Sequence, residues 1–158
     1  MLKKVNCMMF FREATAADIP QIQFVRNAVK ENRLSTPGLI TDQAVLEFIT
    51  VRGKGWVCEA GGVILGFAIA DLKKDNIWAL FVHPDQEGKR VGSKLQQLML
   101  DWYFAQGKQA VWLGTLPGTR AEAFYRASGW MENGKNGSRE VRFELSKAQY
   151  EAHKSHTP

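Results

Sequence analysis

The run from Ile77 to Trp102 constrains this chain more than any other, because its hydrophobic period changes midway. Ile77-Trp78-Ala79-Leu80-Phe81-Val82 is continuously apolar, as a strand buried on both faces is. Pro84-Asp85 ends it. From Val91 onward the apolar residues fall at Val91, Leu95, Leu98, Met99 and Trp102, a stripe that predicts an amphipathic helix. A buried strand therefore passes through a short basic loop, Glu87-Gly88-Lys89-Arg90, into a helix N-terminus. The first turn of a helix carries unpaired N–H groups and the positive end of the macrodipole. Gly88 and Gly92 let a ligand reach that backbone, and Lys89, Arg90 and Lys94 add positive charge, so the loop suits a phosphate. An ordinary strand-to-helix turn with a solvated basic face is equally compatible with these residues alone.

The rest of the chain alternates strands and helices around this unit. Residues 8–14 read as a first strand. Thr15 with Asp18, or Asp18 itself ahead of Pro20, starts a helix whose face is Ile22, Val25 and Val29, running to about Lys30. The segment Glu31 to Gly38 breaks it, and Thr41 caps a second helix with Val45, Phe48 and Ile49 inward. Trp56–Ala60 and Val63–Leu72 flank Gly61-Gly62, a two-residue hairpin turn, and Asp75-Asn76 is a second polar turn before Ile77. Three antiparallel strands in a meander follow from these turn lengths. After a helix ending near Gly107, Gln109–Thr115 is a further apolar strand, and a strand–helix–strand crossover makes it parallel to its neighbour. Thr119 and Glu122 form a capping-box pair for a short helix from about Arg120 to Gly129. Strands near Trp130–Glu132 and Glu140–Leu145 flank the loop Asn133 to Ser138, and the tail from Ser146 is polar.

Two segments resemble signatures of the GNAT-type N-acetyltransferases. Val82-x-Pro84 followed by Glu87-Gly88-Lys89-Arg90-Val91-Gly92 is similar to that superfamily's acyl-CoA pyrophosphate loop, Gln/Arg-x-x-Gly-x-Gly/Ala. Glu87 stands where Gln or Arg is usual, and Arg90 where the first Gly is usual. One strand later, Ala121-x-x-x-Tyr125-x-x-x-Gly129-Trp130 resembles Asn-x-x-Ala-x-x-x-Tyr-x-x-x-Gly-Phe, with Gly118 in the Asn position. The likeness spans residues 8–145. It implies an α/β fold with a mixed, mostly antiparallel central sheet, helices on both faces and a splayed parallel strand pair, in a single domain over 1–158.

The resemblance also implies a reaction: transfer of an acetyl group from acetyl-CoA to a primary amine of a small molecule or peptide by direct attack, without a metal. Tyr125 would protonate the departing thiolate, since a phenol with a pKa of about 10 keeps its proton at neutral pH. A main-chain N–H near Val82 would stabilise the negative oxygen. Cofactor contacts would fall on Phe81, Val82, Glu87, Gly88, Lys89, Arg90, Val91, Gly92, Ser93, Thr119, Arg120 and Phe124, with Glu87 turned to solvent and His83 at the surface. Acceptor contacts would come from Arg26 to Gly38 and the last hairpin loop. There Glu31 and Asn32 suit a cationic amine while Arg26 and Arg33 suit a carboxylate, so the sequence leaves the substrate's charge open. No general base stands out; Glu13, Glu31, Glu59 and Asp71 are the candidate carboxylates.

Composition weighs on the rival readings. A length of 158 residues suits one domain with a real core, and 45% apolar with 23% charged residues is ordinary for a globular protein. No apolar run approaches the roughly 20 residues of a membrane span, and no secretory pattern follows Met1-Leu2-Lys3-Lys4, so a cytoplasmic protein is expected. Cys7 and Cys58 lack metal-ligand spacing and fit reduced thiols. A net charge of +5 serves a polyphosphate as readily as a nucleic acid. The basic residues are dispersed and no aromatic-interleaved RNA-binding pattern occurs, which disfavours a nucleic-acid module. The stronger rival is an acyl-CoA sensor of the same fold without turnover, prompted by Glu87, Arg90 and Gly118. A homodimer is left open.

Overall fold

The computed structural model describes residues 8–29 and 39–155. Strand β1 (Phe10–Glu13) enters a single 3-10 turn, Ala16–Asp18, capped where the Thr15 backbone N–H donates to the Asp18 carboxylate at 2.8 Å. Helix α1 (Ile19–Ala28) follows, with Pro20 in its first turn, where no N–H is needed. Arg12 ties strand to helix through two bonds to Asp18, at 2.8 and 2.9 Å. α1 ends earlier than the sequence predicts, because Val29 is extended, with φ −84° and ψ 103°. Helix α2 (Asp42–Glu47) is capped by Thr41, whose hydroxyl accepts from the Ala44 N–H at 3.1 Å, and continues as a π-helical turn, Phe48–Arg52.

Strands β2 (Gly53–Ala60), β3 (Val63–Asp71) and β4 (Asn76–Val82) form the expected meander. Gly61 and Gly62 hold φ of +58° and +80°, the paired positive angles of a turn whose twist matches its strands. Helix α3 (Val91–Ala105), strand β5 (Ala110–Thr115), helix α4 (Arg120–Ala127), strands β6 (Met131–Asn136) and β7 (Glu140–Ser146) and helix α5 (Lys147–Ser155) complete the order. Strand β6 runs further than the sequence suggests. Its pairing with β7 slips between Glu132 and Lys135, and Gly134 at φ +85° lets the strand resume to Asn136. The polar tail packs on α3, where the Tyr150 hydroxyl donates to Asp101 at 2.7 Å.

The seven strands lie in the order β1-β2-β3-β4-β5-β7-β6, and every neighbouring pair is antiparallel except β4 and β5. One face of the sheet is covered through Leu95, Met99 and Tyr103 of α3, the other through Ile22 and Val25 of α1 and Val45 of α2. Among the described residues no helix is long and apolar enough to cross a membrane.

Two irregularities shape the middle of the sheet. Opposite β3, Ile69 pairs with Ala79 and Ala70 with Ile77, so Trp78 is a bulged residue. The slip puts both Trp78 and Ala79 on the α1 side, while Ile77 and Leu80 pack on the α3 side. Strands β4 and β5 pair only at Asn76 and Trp112. That end is clamped, since the Trp112 backbone N–H donates to Asp75 at 3.1 Å and its indole N–H to Lys74 at 2.9 Å. Beyond the clamp the two strands part.

Candidate active site

The parting of β4 from β5 leaves backbone groups in the gap. The His83 N–H donates to Leu65 on the β3 side at 2.8 Å. Successive strand residues aim their N–H groups to opposite sides, so Leu80 and Val82 aim theirs at the β5 side, where no ladder remains.

A cavity of about 580 Å³ opens at this end of the gap. Its walls are Leu80, Phe81 and Val82 of β4, Gln86 to Gly88 and Arg90 of the following loop, Val91 to Ser93 of α3, and Arg120, Phe124 and Tyr125 of α4. Val29, outside the helix predicted to hold it, also lines the cavity. The first bond of α3 runs from the Lys94 N–H to the Arg90 carbonyl at 3.1 Å, which leaves the amides of Val91, Gly92 and Ser93 without helical partners. Gly88 turns the loop at φ +80°, which glycine adopts freely. Arg90 does so at φ +62°, a left-handed conformation that costs a side chain about 1 kcal/mol. Unpaired amides, Arg90 and Arg120 fit a polyphosphate, and the apolar walls fit an unbranched arm.

Not every residue expected at the cofactor lies in this wall. Lys89 donates its ammonium to Gln86 at 3.0 Å. The Thr119 hydroxyl is taken up in capping α4, accepting from the Glu122 N–H at 3.2 Å and donating to Leu116 at 2.8 Å. The Glu122 carboxylate reaches one residue further than a capping box would, to the Gly118 N–H at 2.8 Å. Glu87 is exposed, as expected, and pairs with Arg120 at 2.9 Å, bridging the loop and α4 at the cavity mouth. His83 is buried, not superficial: its ring stacks on Phe24 with centroids 5.8 Å apart, and its Nδ1 accepts from the Asp85 N–H at 3.1 Å.

Tyr125 is 7% exposed, packed edge-on against Phe124 and Trp130. Its hydroxyl makes no hydrogen bond among the described residues, and burial pushes its pKa well above the usual phenol value. A second cavity of about 190 Å³ begins where the first ends, the two sharing Leu80, Phe81, Ala121 and Tyr125. It extends along the gap between Ile77 to Ala79 of β4 and Leu113 to Thr115 of β5, and it reaches Glu140 at the start of β7. Tyr125 thus stands at the junction of two chambers.

The expected acceptor residues divide. Glu31 and Asn32 lie outside the described residues. Arg26 is buried on the α1 side with its guanidinium 4.9 Å from the Trp78 ring centroid, 5.1 Å from Phe81 and 5.6 Å from Phe67. Among the described residues its Nε and Nη2 find no hydrogen-bond acceptor, and burial lowers its pKa to about 10. It lines neither cavity. Of the candidate bases, Glu13 pairs with Lys54 at 2.8 Å, Glu59 with Arg12 at 2.6 Å, and Asp71 with Arg52 at 2.5 Å; Glu31 is not described. The carboxylate that does reach the gap, Glu140, reads in the sequence as an ordinary polar strand start. The available signal was Gly114, a glycine inside a strand, which marks the close approach of another group.

Comparison with known proteins places the fold. A model of the acetyltransferase (GNAT) family matches residues 22–130. The PaiA N-acetyltransferase of Thermoplasma acidophilum, solved in complex with coenzyme A, superposes with a TM-score of 0.76 at 13% identity, over 88% of this chain and 99% of that one. A GNAT-family acetyltransferase of Staphylococcus aureus does so with a TM-score of 0.76 at 15% identity, over 88% and 99%. The ribosomal-protein-S18-alanine N-acetyltransferase of Escherichia coli gives 0.71 at 18%, over 88% and 94%. At these identities the likeness is one of fold. Among curated proteins none matches the chain.

Proposed function

The chain belongs to the acetyltransferase (GNAT) family, and on that premise we propose that it moves the acetyl group of acetyl-CoA directly to a primary amine of a small molecule or peptide. One observation carries the reading: two chambers meet at Tyr125 in the gap between β4 and β5, so donor and acceptor approach one point from different sides. The coenzyme A bound by the Thermoplasma protein of similar fold supports a CoA-type donor in the larger chamber.

Acetyl-CoA supplies the activated acetyl group, and the chain's own residues do the rest. The amides of Val91 to Ser93, with Arg90 and Arg120, take the pyrophosphate at the positive end of α3. Glu87 holds Arg120 at the mouth, and the pair offsets the repulsion that a lone carboxylate would exert there. The Leu80 and Val82 N–H groups, aimed into the gap and already ordered by β3, donate to the carbonyl oxygen as charge develops on it. As the C–N bond forms and the C–S bond breaks, the Tyr125 hydroxyl, with no protein partner among the described residues, gives its proton to the departing sulfur, and the proton that the nitrogen sheds to solvent restores it.

Calorimetric titration with acetyl-CoA, followed by an amine panel scored by thiol release, tests this. Saturable one-to-one binding that ATP does not reproduce, with thiol release only when an amine is present, is the expected result. Binding without release would make the protein an acyl-CoA sensor. Salt-steep binding of DNA or RNA without CoA binding would overturn the reading. Arg90→Gly separates conformation from charge in the same assay. Relief of the left-handed strain should raise thermal stability by up to about 1 kcal/mol, while loss of the guanidinium should weaken CoA binding about threefold to fivefold. A loss of stability would mean that the Arg90 backbone is not strained.

A further inference from the structure

We infer that the smaller chamber is the acceptor site, that Glu140 is the counter-charge for the incoming nitrogen, and that the acceptor is therefore a primary amine that enters as its ammonium and sheds a proton before it attacks. The inference rests on the acetyltransferase reading for its donor, but its selectivity for a cation stands on the smaller chamber alone.

Three observations converge. The first is placement. Glu140 is half-buried and lines the chamber that shares Tyr125 with the donor cavity, whereas Glu13, Glu59 and Asp71 are held in ion pairs elsewhere. The second is that room has been made for it. A Cβ on Gly114 would lie 2.6 Å from the Glu140 Oε1 and 2.5 Å from the Asn136 Nδ2, so no other residue fits beneath this carboxylate without moving it. The third is orientation. The Asn136 amide donates to the Glu140 Oε1 at 2.7 Å, which fixes one oxygen and leaves the other for a ligand.

Size and lining set the rest of the substrate. At about 190 Å³ the chamber is smaller than pockets that enclose whole drug-sized ligands, so it takes the end of a chain. Its lining is more polar than apolar and carries a single carboxylate, Glu140. The alternative of an anionic acceptor held by Arg26 has no route here, because that guanidinium lies under three aromatic rings and borders neither chamber.

The test uses n-butylammonium chloride as probe, titrated calorimetrically into the protein with and without saturating CoA, with sodium butyrate as the anionic control. The wild type should bind butylammonium and not butyrate. Glu140→Gln keeps an oxygen for Asn136, so the hairpin brace survives and the charge alone is lost. It should retain its melting temperature and its CoA affinity while losing about tenfold or more in butylammonium affinity. In turnover with acetyl-CoA and butylamine, the same variant should raise KM by more than it lowers kcat. Gly114→Ala keeps the charge but displaces the carboxylate, and should show the same loss. Unchanged butylammonium affinity in Glu140→Gln, a wild type that prefers butyrate, or no butylammonium binding at millimolar concentration would each overturn the inference. Absence of CoA binding with ammonium selectivity intact would overturn the donor site alone.

Discussion

Replacing Tyr125 by Phe should lower turnover by about two to four orders of magnitude while leaving acetyl-CoA affinity and thermal stability nearly unchanged. The substitution is clean because the ring and the hydroxyl have separate tasks. The ring packs edge-on against Phe124 and Trp130 and lies 6.4 Å from Phe143, contacts that Phe preserves. The hydroxyl makes no hydrogen bond among the described residues, so its removal strands no buried partner. Burial raises the phenol's pKa, which keeps the proton in place throughout the neutral and mildly alkaline range. No loss of activity from tyrosine ionisation is therefore expected below about pH 10. The stability linkage has a definite sign. Above about pH 10 the unfolded chain gives up this proton first, binds fewer protons than the folded state, and is favoured as pH rises. Tyr125→Phe should accordingly flatten the alkaline arm of a stability-against-pH curve. An unchanged turnover would remove Tyr125 from the chemistry, and a large fall in melting temperature would show that the hydroxyl has a structural role.

Gly53→Ala should be the most destabilising single methyl addition along the meander. At Gly53 an added Cβ would sit 1.8 Å from the Ala70 carbonyl oxygen and 2.8 Å from its carbon, both backbone atoms of the paired strand. A flexible side chain can swing away from such a contact, but a ladder carbonyl cannot. The two strands would have to separate where β2 begins and β3 ends, next to the Ile69–Ala70 slip that sets the Trp78 bulge. The expected loss is about 3 kcal/mol, the upper end for overpacking, or roughly 6–12 °C in melting temperature for a domain of this size. Because the bulge orients β4, acetyl-CoA binding should weaken in the same variant. Thermal denaturation followed by circular dichroism checks the first effect and calorimetry the second. A melting temperature within a degree of wild type would show that the β2 entry is not held by its ladder.

The same physics explains how far the sequence could be read. Local rules governed the elements. Gly61-Gly62 specified a hairpin because both positions need positive φ, and Thr41 and Thr119 specified helix starts because their hydroxyls can accept from amides three residues ahead. The loop from Glu87 to Gly92 was legible as the entry to a helix N-terminus for a similar reason, since the amides that a first helical turn leaves unbonded belong to contiguous backbone. Misreadings fell where a distant group decided. His83 alternates like an exposed strand end, yet Phe24 of α1 covers it. Arg26 reads as a free cation on a helix, and three rings from β3 and β4 enclose it.

What the sequence determined by itself was therefore everything set by neighbours along the chain: the strand–loop–helix unit, the meander, the crossover and the position of Tyr125 on a short helix. The tertiary structure decided what those pieces enclose. The gap between β4 and β5 exists because pairing stops after Asn76 and Trp112, and Glu140 enters it because Gly114, on a strand far away in sequence, carries no side chain. Hydrophobic period and turn chemistry act over a few residues, whereas a chamber is defined by atoms that only folding brings together.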